Sequence, residues 1–224
     1  MKNTKTKTRI NSQPHKGFTL IELLVVITII AILAGLVMAQ ATKMMENGRK
    51  LQVQTVIKDL RVAVSSYQTE YNRYPVNASL LSGASSGEDI QALMTDENSG
   101  IVDALMSAQS TSGGSSGGGG QTNLNPRDIK FIDLLPAKNG RFGLINTQAP
   151  YKLVDLWGQP YRLLFDTNGD KQVKNPDISN ADPSIAQSQL SPPPPMLPTD
   201  VAIYSSGKDI TMQTKDDIVS WSSR

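Results

Sequence analysis

The chain opens polar, turns apolar at Phe18 and stays so to Ala39, 22 residues reading FTLIELLVVITIIAILAGLVMA with one ionisable side chain, Glu22. At about 1.5 Å rise per residue, about 20 apolar residues cross a hydrocarbon core, so this run predicts a membrane-spanning helix. Beyond Ala39 the polarity rises but the helical period persists. Val53, Val56, Ile57, Leu60, Val64, Tyr67, Tyr71 and Tyr74 recur at three- and four-residue steps, with Lys58, Asp59, Arg61, Gln68 and Glu70 mostly between them. That is one apolar stripe on a solvated helix. The tyrosines on it are expected to pack as core rather than to bind a ligand. Pro75 disfavours helix in the residue before it. A single helix is therefore expected from about Phe18 to about Asn72, roughly 80 Å long at 1.5 Å per residue.

The remaining pattern is broken into short pieces. Stretches 82–90 and 107–123 are rich in Ser and Gly and predict loops. Pro192 to Pro195 with Pro198 predict an extended, irregular stretch over 192–198. Tyr161–Phe165 and Val201–Tyr204 read as strands, Asp216–Trp221 as a third, and Phe131–Leu135 as a brief helix or strand. The expected class is α+β, a long N-terminal helix whose first half spans the membrane, packed on a small antiparallel sheet domain with long loops. The segments are a basic leader 1–17, a transmembrane half-helix 18–39, an exposed amphipathic half-helix 40–74 and a globular part 75–224.

Charge sharpens this division. Lys2, Lys5, Lys7, Arg9 and Lys16 precede Phe18 with no acid among them, leaving 17 basic against 20 acidic residues in the rest. The basic excess is a topology signal in the leader, and the slightly acidic body predicts no nucleic-acid partner. With no Cys in the chain, no disulfide braces an exported domain. His15, the only His, lies in the leader, and no phosphate-binding G-x-x-x-x-G-K-[ST] motif occurs, so no catalytic centre is expected.

Glu22 is the informative oddity. A secretory signal peptide has an apolar region of about 7–15 residues and then a small-residue cleavage site, and this run is longer and continues without a stop. A plain signal anchor accounts for length and basic flank but not for an acid at the fifth apolar position. An intramembrane carboxylate generally has a partner or a function. A cut between Gly17 and Phe18 would create one, a new α-amino group at the same depth. Gly17 has no side chain and lets an extended backbone approach closely.

The junction Lys16-Gly17-Phe18-Thr19-Leu20-Ile21-Glu22-Leu23-Leu24-Val25-Val26 resembles the cleavage and methylation motif of type IV prepilins and type II secretion pseudopilins. The resemblance implies that prepilin peptidase cuts after Gly17, that Phe18 is N-methylated, and that Glu22 pairs with the Phe18 amine of a neighbouring subunit. Tyr74-Pro75, the segment Asp155-Leu156-Trp157-Gly158-Gln159-Pro160-Tyr161 and the lack of Cys are similar to the major, G-type pseudopilin, with Leu156 where that group usually has Pro. The implied fold is pilin-like. The implied partners are copies of the chain, other pseudopilins and an inner-membrane assembly platform. The implied location is the inner membrane with an exported domain, then an extracytoplasmic filament.

Two acidic stretches have spacing suited to Ca²⁺, which takes six to eight oxygen ligands. Ser206, Asp209, Asp216 and Asp217 resemble the G-type calcium loop, with Ile210 at the position of the family glycine and Lys208 adding a positive charge. Asp166, Asn168 and Asp170 have D-x-N-x-D spacing with Asp177 further on, but Lys171 stands where an EF-hand has Gly. An Asn-Gly turn closing a hairpin accounts for the same residues. The function expected first is a structural subunit of a type II secretion pseudopilus supporting protein export. The alternatives are a type IV pilin for adhesion, motility or DNA uptake, and a single-pass anchored binding module that does not polymerise.

Overall fold

The computed structural model describes residues 17–77, 80, 89, 92–107, 124–176, 195–212, 214 and 216–221. The Ser/Gly-rich stretch from 108 to 123, Pro192–Pro194 and Asp177 lie outside them. The chain divides into two compact units, Met1–Asn47 and Gly48–Arg224, and helix α1 (Leu20–Tyr71) begins in the first and ends in the second.

In the first unit α1 is apolar from Leu23 to Met38, with Thr28 the one polar side chain there. Leu20, Leu24, Ile27, Ile30, Leu33 and Val37 are all exposed. The helix is long and apolar enough to cross a membrane. Its N-terminus is closed by a capping box over Thr19-Leu20-Ile21-Glu22. The Thr19 N–H and hydroxyl donate to Glu22 Oε2 at 2.8 and 2.6 Å, and the Glu22 N–H donates to Thr19 Oγ1 at 3.3 Å.

In the second unit α1 has one buried stripe. Val53, Ile57, Leu60, Val64 and Tyr67 are fully buried, as the three- and four-residue spacing predicts. The helix ends at Asn72, which takes a left-handed conformation (φ 51°) and donates its N–H to the Gln68 carbonyl at 2.8 Å. Asn tolerates that conformation better than most side chains, so the stop precedes Pro75.

The sheet is antiparallel and four-stranded, in the order β1 (Leu93–Met94), β4 (Arg162–Phe165), β7 (Val201–Ser205) and β8 (Ile218–Val219). Leu163 pairs with Ile203 and Phe165 with Val201 at its centre. Side chains alternate between faces along a strand. Leu163, Phe165, Val201 and Ile203 therefore join α1 and the short helix α2 (Ile101–Met106) in the main core. Leu164, Ala202 and Tyr204 face the other way, onto Val173 of β5 (Val173–Lys174) and Leu197 of β6 (Met196–Leu197). Both faces are thus covered, which is why VAIYS is buried at every position. A further ribbon pairs β2 (Gly143–Leu144) with β3 (Leu153–Val154).

Three expectations need adjusting. Phe131–Leu135 is neither helix nor strand, because the Phe131 and Ile132 amides donate to the Leu105 carbonyl at the end of α2. The sheet gains a fourth strand at Leu93–Met94, too short to carry a period-two signal. The Asp166–Lys171 turn does not close a hairpin, since β5 pairs with β6 and not with β4.

Buried polar groups tie the loops to this frame. Asn125 receives the Tyr71 hydroxyl (2.6 Å) and the Ile129 amide (3.1 Å) on Oδ1, and donates Nδ2 to the carbonyls of Ala104 (2.9 Å) and Ile129 (2.7 Å). Beside it Tyr67 donates to the Leu124 carbonyl, and its ring lies 5.4 Å from that of Phe131.

Candidate processing junction and acidic loops

Gly17 and Phe18 precede the first turn of α1, lack helical structure and are exposed. Among the described residues, nothing lies within 4 Å of where a Gly17 side chain would begin. Phe18, Ile21, Glu22, Val25 and Val26 line one shallow groove, so the acid sits in an apolar surround. Its carboxylate is turned to Thr19, a partner that the T-x-x-E spacing announces and that a reading focused on the charge of Glu22 overlooks.

The Asp155–Tyr161 segment folds around a fully buried carboxylate. Asp155 Oδ1 accepts the amides of Trp157 (2.8 Å) and Gln159 (2.9 Å), while Oδ2 accepts the Ser205 hydroxyl at 2.6 Å. Ser205 Oγ in turn accepts the Gly207 amide at 3.3 Å. The Trp-Gly turn and the neck of the C-terminal acidic loop therefore share a continuous set of hydrogen bonds.

In that loop Asp209, Asp216 and Asp217 each bring a carboxylate oxygen within 4.8 Å of the others. Ser206 is buried at the neck. Asp216 Oδ2 accepts the amides of Lys208 (2.6 Å) and Asp209 (3.1 Å), and Oδ1 accepts the Thr214 hydroxyl at 2.8 Å. Burial pushes the Asp216 carboxyl up, but these hydrogen bonds outweigh it and hold the group below the usual carboxylate range. The loop is thus shaped for the ionised form of Asp216.

Ile210 adopts φ 62°, a left-handed conformation costly for a β-branched side chain. Ile210→Gly is expected to stabilise the protein by about 1 kcal/mol, the strain relieved less the extra freedom of an unfolded glycine. Melting curves of the purified chain check this, and a lower melting temperature for the variant would contradict it.

The second acidic loop folds on its own carboxylates. Asp166 accepts the amides of Gly169 (2.7 Å) and Lys171 (2.8 Å), Asn168 accepts that of Asp170 (2.9 Å), and Asp170 accepts that of Gln172 (2.8 Å). Lys171 is left-handed at φ 61°, which is the conformation a glycine there would favour. Asp89, which no spacing in the sequence links to this loop, accepts the Thr167 amide at 3.1 Å. Burial, then the charges of Asp166 and Asp170, holds the Asp89 carboxyl above its usual value.

An exposed Gly17–Phe18 junction thus precedes a capped helix long and apolar enough to cross a membrane, and the same helix ends in an α+β unit. Residues 13–38 match the family described as the prokaryotic N-terminal methylation motif, so the chain carries the processing signal of type IV prepilin-like proteins. No curated protein and no solved structure matches the chain.

Proposed function

We propose that this chain is a structural subunit of a type II secretion pseudopilus, cut by prepilin peptidase between Gly17 and Phe18, N-methylated on Phe18 and polymerised through α1 to support protein export. The observation that carries the reading is the methylation motif at residues 13–38, placed at the mouth of an apolar helix that continues into the core of an α+β unit. The Asp155–Tyr161 segment and the absence of Cys favour the G-type subunit over a disulfide-bearing pilin. Its partners are further copies of itself, other pseudopilins and an inner-membrane assembly platform, with energy supplied by a separate ATPase. Mass spectrometry of the membrane-extracted protein is expected to find an N-terminus at Phe18 with one added methyl group. An intact Met1 terminus in cells with active prepilin peptidase would overturn the reading.

The C-terminal acidic loop is the proposed calcium site of this subunit. Three carboxylates converge there, and amide and hydroxyl donors support Asp216. Asp209, Asp216 and Asp217 would hold the ion, which would turn their mutual repulsion into a brace in a chain without disulfides. Calcium at a hundredfold excess over Kd is expected to add about 2.7 kcal/mol to stability. The purified chain should melt higher in millimolar Ca²⁺ than in chelator, and Asp209→Ala should remove most of the difference. If Asp166→Ala removes it instead, the ion occupies the other loop.

A further inference from the structure

An Asn-Gly step is chemically labile, because the glycine amide reaches the neighbouring asparagine side chain with no side chain of its own in the way. The chain has three such steps, Asn47-Gly48, Asn139-Gly140 and Asn168-Gly169. The fold holds them differently.

Asn47-Gly48 lies inside α1, where helical geometry bonds each amide to the carbonyl four residues before it. A reaction between the two residues would have to break the helix. Asn168-Gly169 lies in the second acidic loop with both reacting groups engaged. The Gly169 amide donates to Asp166 Oδ1 at 2.7 Å. Asn168 Nδ2 donates to Asp170 Oδ2 at 3.1 Å, and Asn168 Oδ1 accepts the Asp170 amide at 2.9 Å.

Asn139-Gly140 forms the tip of a tight hairpin. Both residues are left-handed (φ 53° and 71°), as a two-residue hairpin turn requires. The flanking Lys138 and Arg141 exchange backbone hydrogen bonds of 3.0 and 3.1 Å. Asn139 and Gly140 are exposed, and nothing lies within 4 Å of where a Gly140 side chain would begin. Among the described residues no hydrogen bond holds the Asn139 side chain or the Gly140 amide. Ring closure needs the Asn139–Gly140 peptide to swing out of the turn. That motion loosens an exposed tip, the kind of local opening that costs least in a folded protein.

We propose that Asn139 is a modification site, at which the chain converts asparagine to aspartate and isoaspartate with no enzyme. The Gly140 amide nitrogen gives its proton to hydroxide and attacks Asn139 Cγ. The N–Cγ bond forms as the Cγ–Nδ2 bond breaks, and Nδ2 takes a proton from water and leaves as ammonia. Water then opens the cyclic imide. Opening at Cγ gives aspartate, and opening at the Asn139 main-chain carbonyl gives isoaspartate. The sum is one water consumed and one ammonia released, so no oxidant, metal or other co-reactant is needed.

The two products act differently on the fold. Aspartate suits the same turn, since Asp-Gly favours it as Asn-Gly does. It adds a carboxylate to the exposed hairpin between Lys138 and Arg141. Isoaspartate routes the main chain through Cγ and lengthens a turn built for two residues. It therefore disturbs the Phe142 amide bond to the Asp155 carbonyl (2.7 Å) and the approach of the Gly140 carbonyl, which lies 3.4 Å from where a Gly158 side chain would begin.

The test uses the purified full chain in detergent, incubated at mildly alkaline pH and digested with a protease that spares Lys and Arg. Mass spectrometry follows the amide-to-acid mass gain in the peptides that hold each Asn-Gly step, and isoaspartate-specific methyl labelling is read in the same peptides. Conversion at Asn139 is expected to run at least about tenfold faster than at Asn47 or Asn168, because each hydrogen bond that must open depletes the reacting state. In denaturant the three steps should convert within about threefold of one another, since the fold no longer distinguishes them. Equal rates at Asn139 and Asn168 in the folded chain overturn the proposal. So does a folded-chain rate at Asn139 more than about a hundredfold below its rate in denaturant. Conversion there without the methyl label also overturns it, since a cyclic imide opens at both carbonyls.

Discussion

Glu22→Ala is expected to leave the chain in the membrane and to reduce filaments by at least about a hundredfold. The change makes the spanning segment more apolar, so insertion is preserved. It removes the acceptor for the Thr19 amide and hydroxyl, a capping loss of about 1 kcal/mol at one end of a 52-residue helix. In assembly the loss is larger. If, as the proposed function implies, Glu22 pairs with the Phe18 amine of a neighbouring subunit, that amine then enters a low-dielectric bundle without its carboxylate, which costs about 3–5 kcal/mol. Glu22→Gln separates the two effects, since Gln at this position keeps the capping box but not the charge. Assembly should fail in both variants. Wild-type filament yield from Glu22→Ala would refute the pairing, and rescue by Gln alone would show that the helix cap, not the charge, is what assembly needs.

The largest expected effect on folding is at Asn125. Asn125→Leu is similar in size but leaves the Tyr71 hydroxyl, the Ile129 amide and the carbonyls of Ala104 and Ile129 without their partner in a site only 6% exposed. A stranded buried donor or acceptor costs about 1–3 kcal/mol, and with partial relaxation the variant should lose about 3 kcal/mol. At about 2–4 °C per kcal/mol for a unit of this size, melting should fall by roughly 10 °C. Tyr71→Phe removes only one of these bonds and should lose about 1 kcal/mol. Equal melting of Asn125→Leu and wild type would mean that the 124–129 loop does not brace the end of α1.

The sequence announced the parts of this chain that obey a period or a motif. The stripe from Val53 to Tyr67 fixed the buried face of α1, and alternation along β4 and β7 put Leu163 and Leu164 on opposite faces. The methylation motif over residues 13–38 was legible because its specificity lies in consecutive residues. What was not legible depended on long-range polar partners. Asn125 reads as an ordinary loop residue until Tyr71, 54 positions earlier, comes alongside it. Asp89 meets Thr167 across 78 positions, and Asp155 meets Ser205 across 50. No local period encodes such pairs. Phe131–Leu135 misled for the opposite reason, because an apolar run shows neither that its amides pair in a strand nor that each side chain is buried: Ile132 is, and Leu135 is exposed.

The C-terminal acidic loop contains two left-handed positions with unlike freedom to vary. Gly207 (φ 65°) has the Asp216 carbonyl oxygen 2.5 Å, and Asp216 Oδ2 2.6 Å, from where a side chain would start. Any other residue there would drive the loop off the Ser205 and Asp155 bonds that anchor its neck. Ile210 shares the same backbone sign, but its side chain is half exposed and meets only a conformational penalty. Mutational drift in this loop is therefore channelled: position 210 can exchange glycine for a bulky residue at a modest loss of stability, whereas position 207 is closed to every amino acid but one.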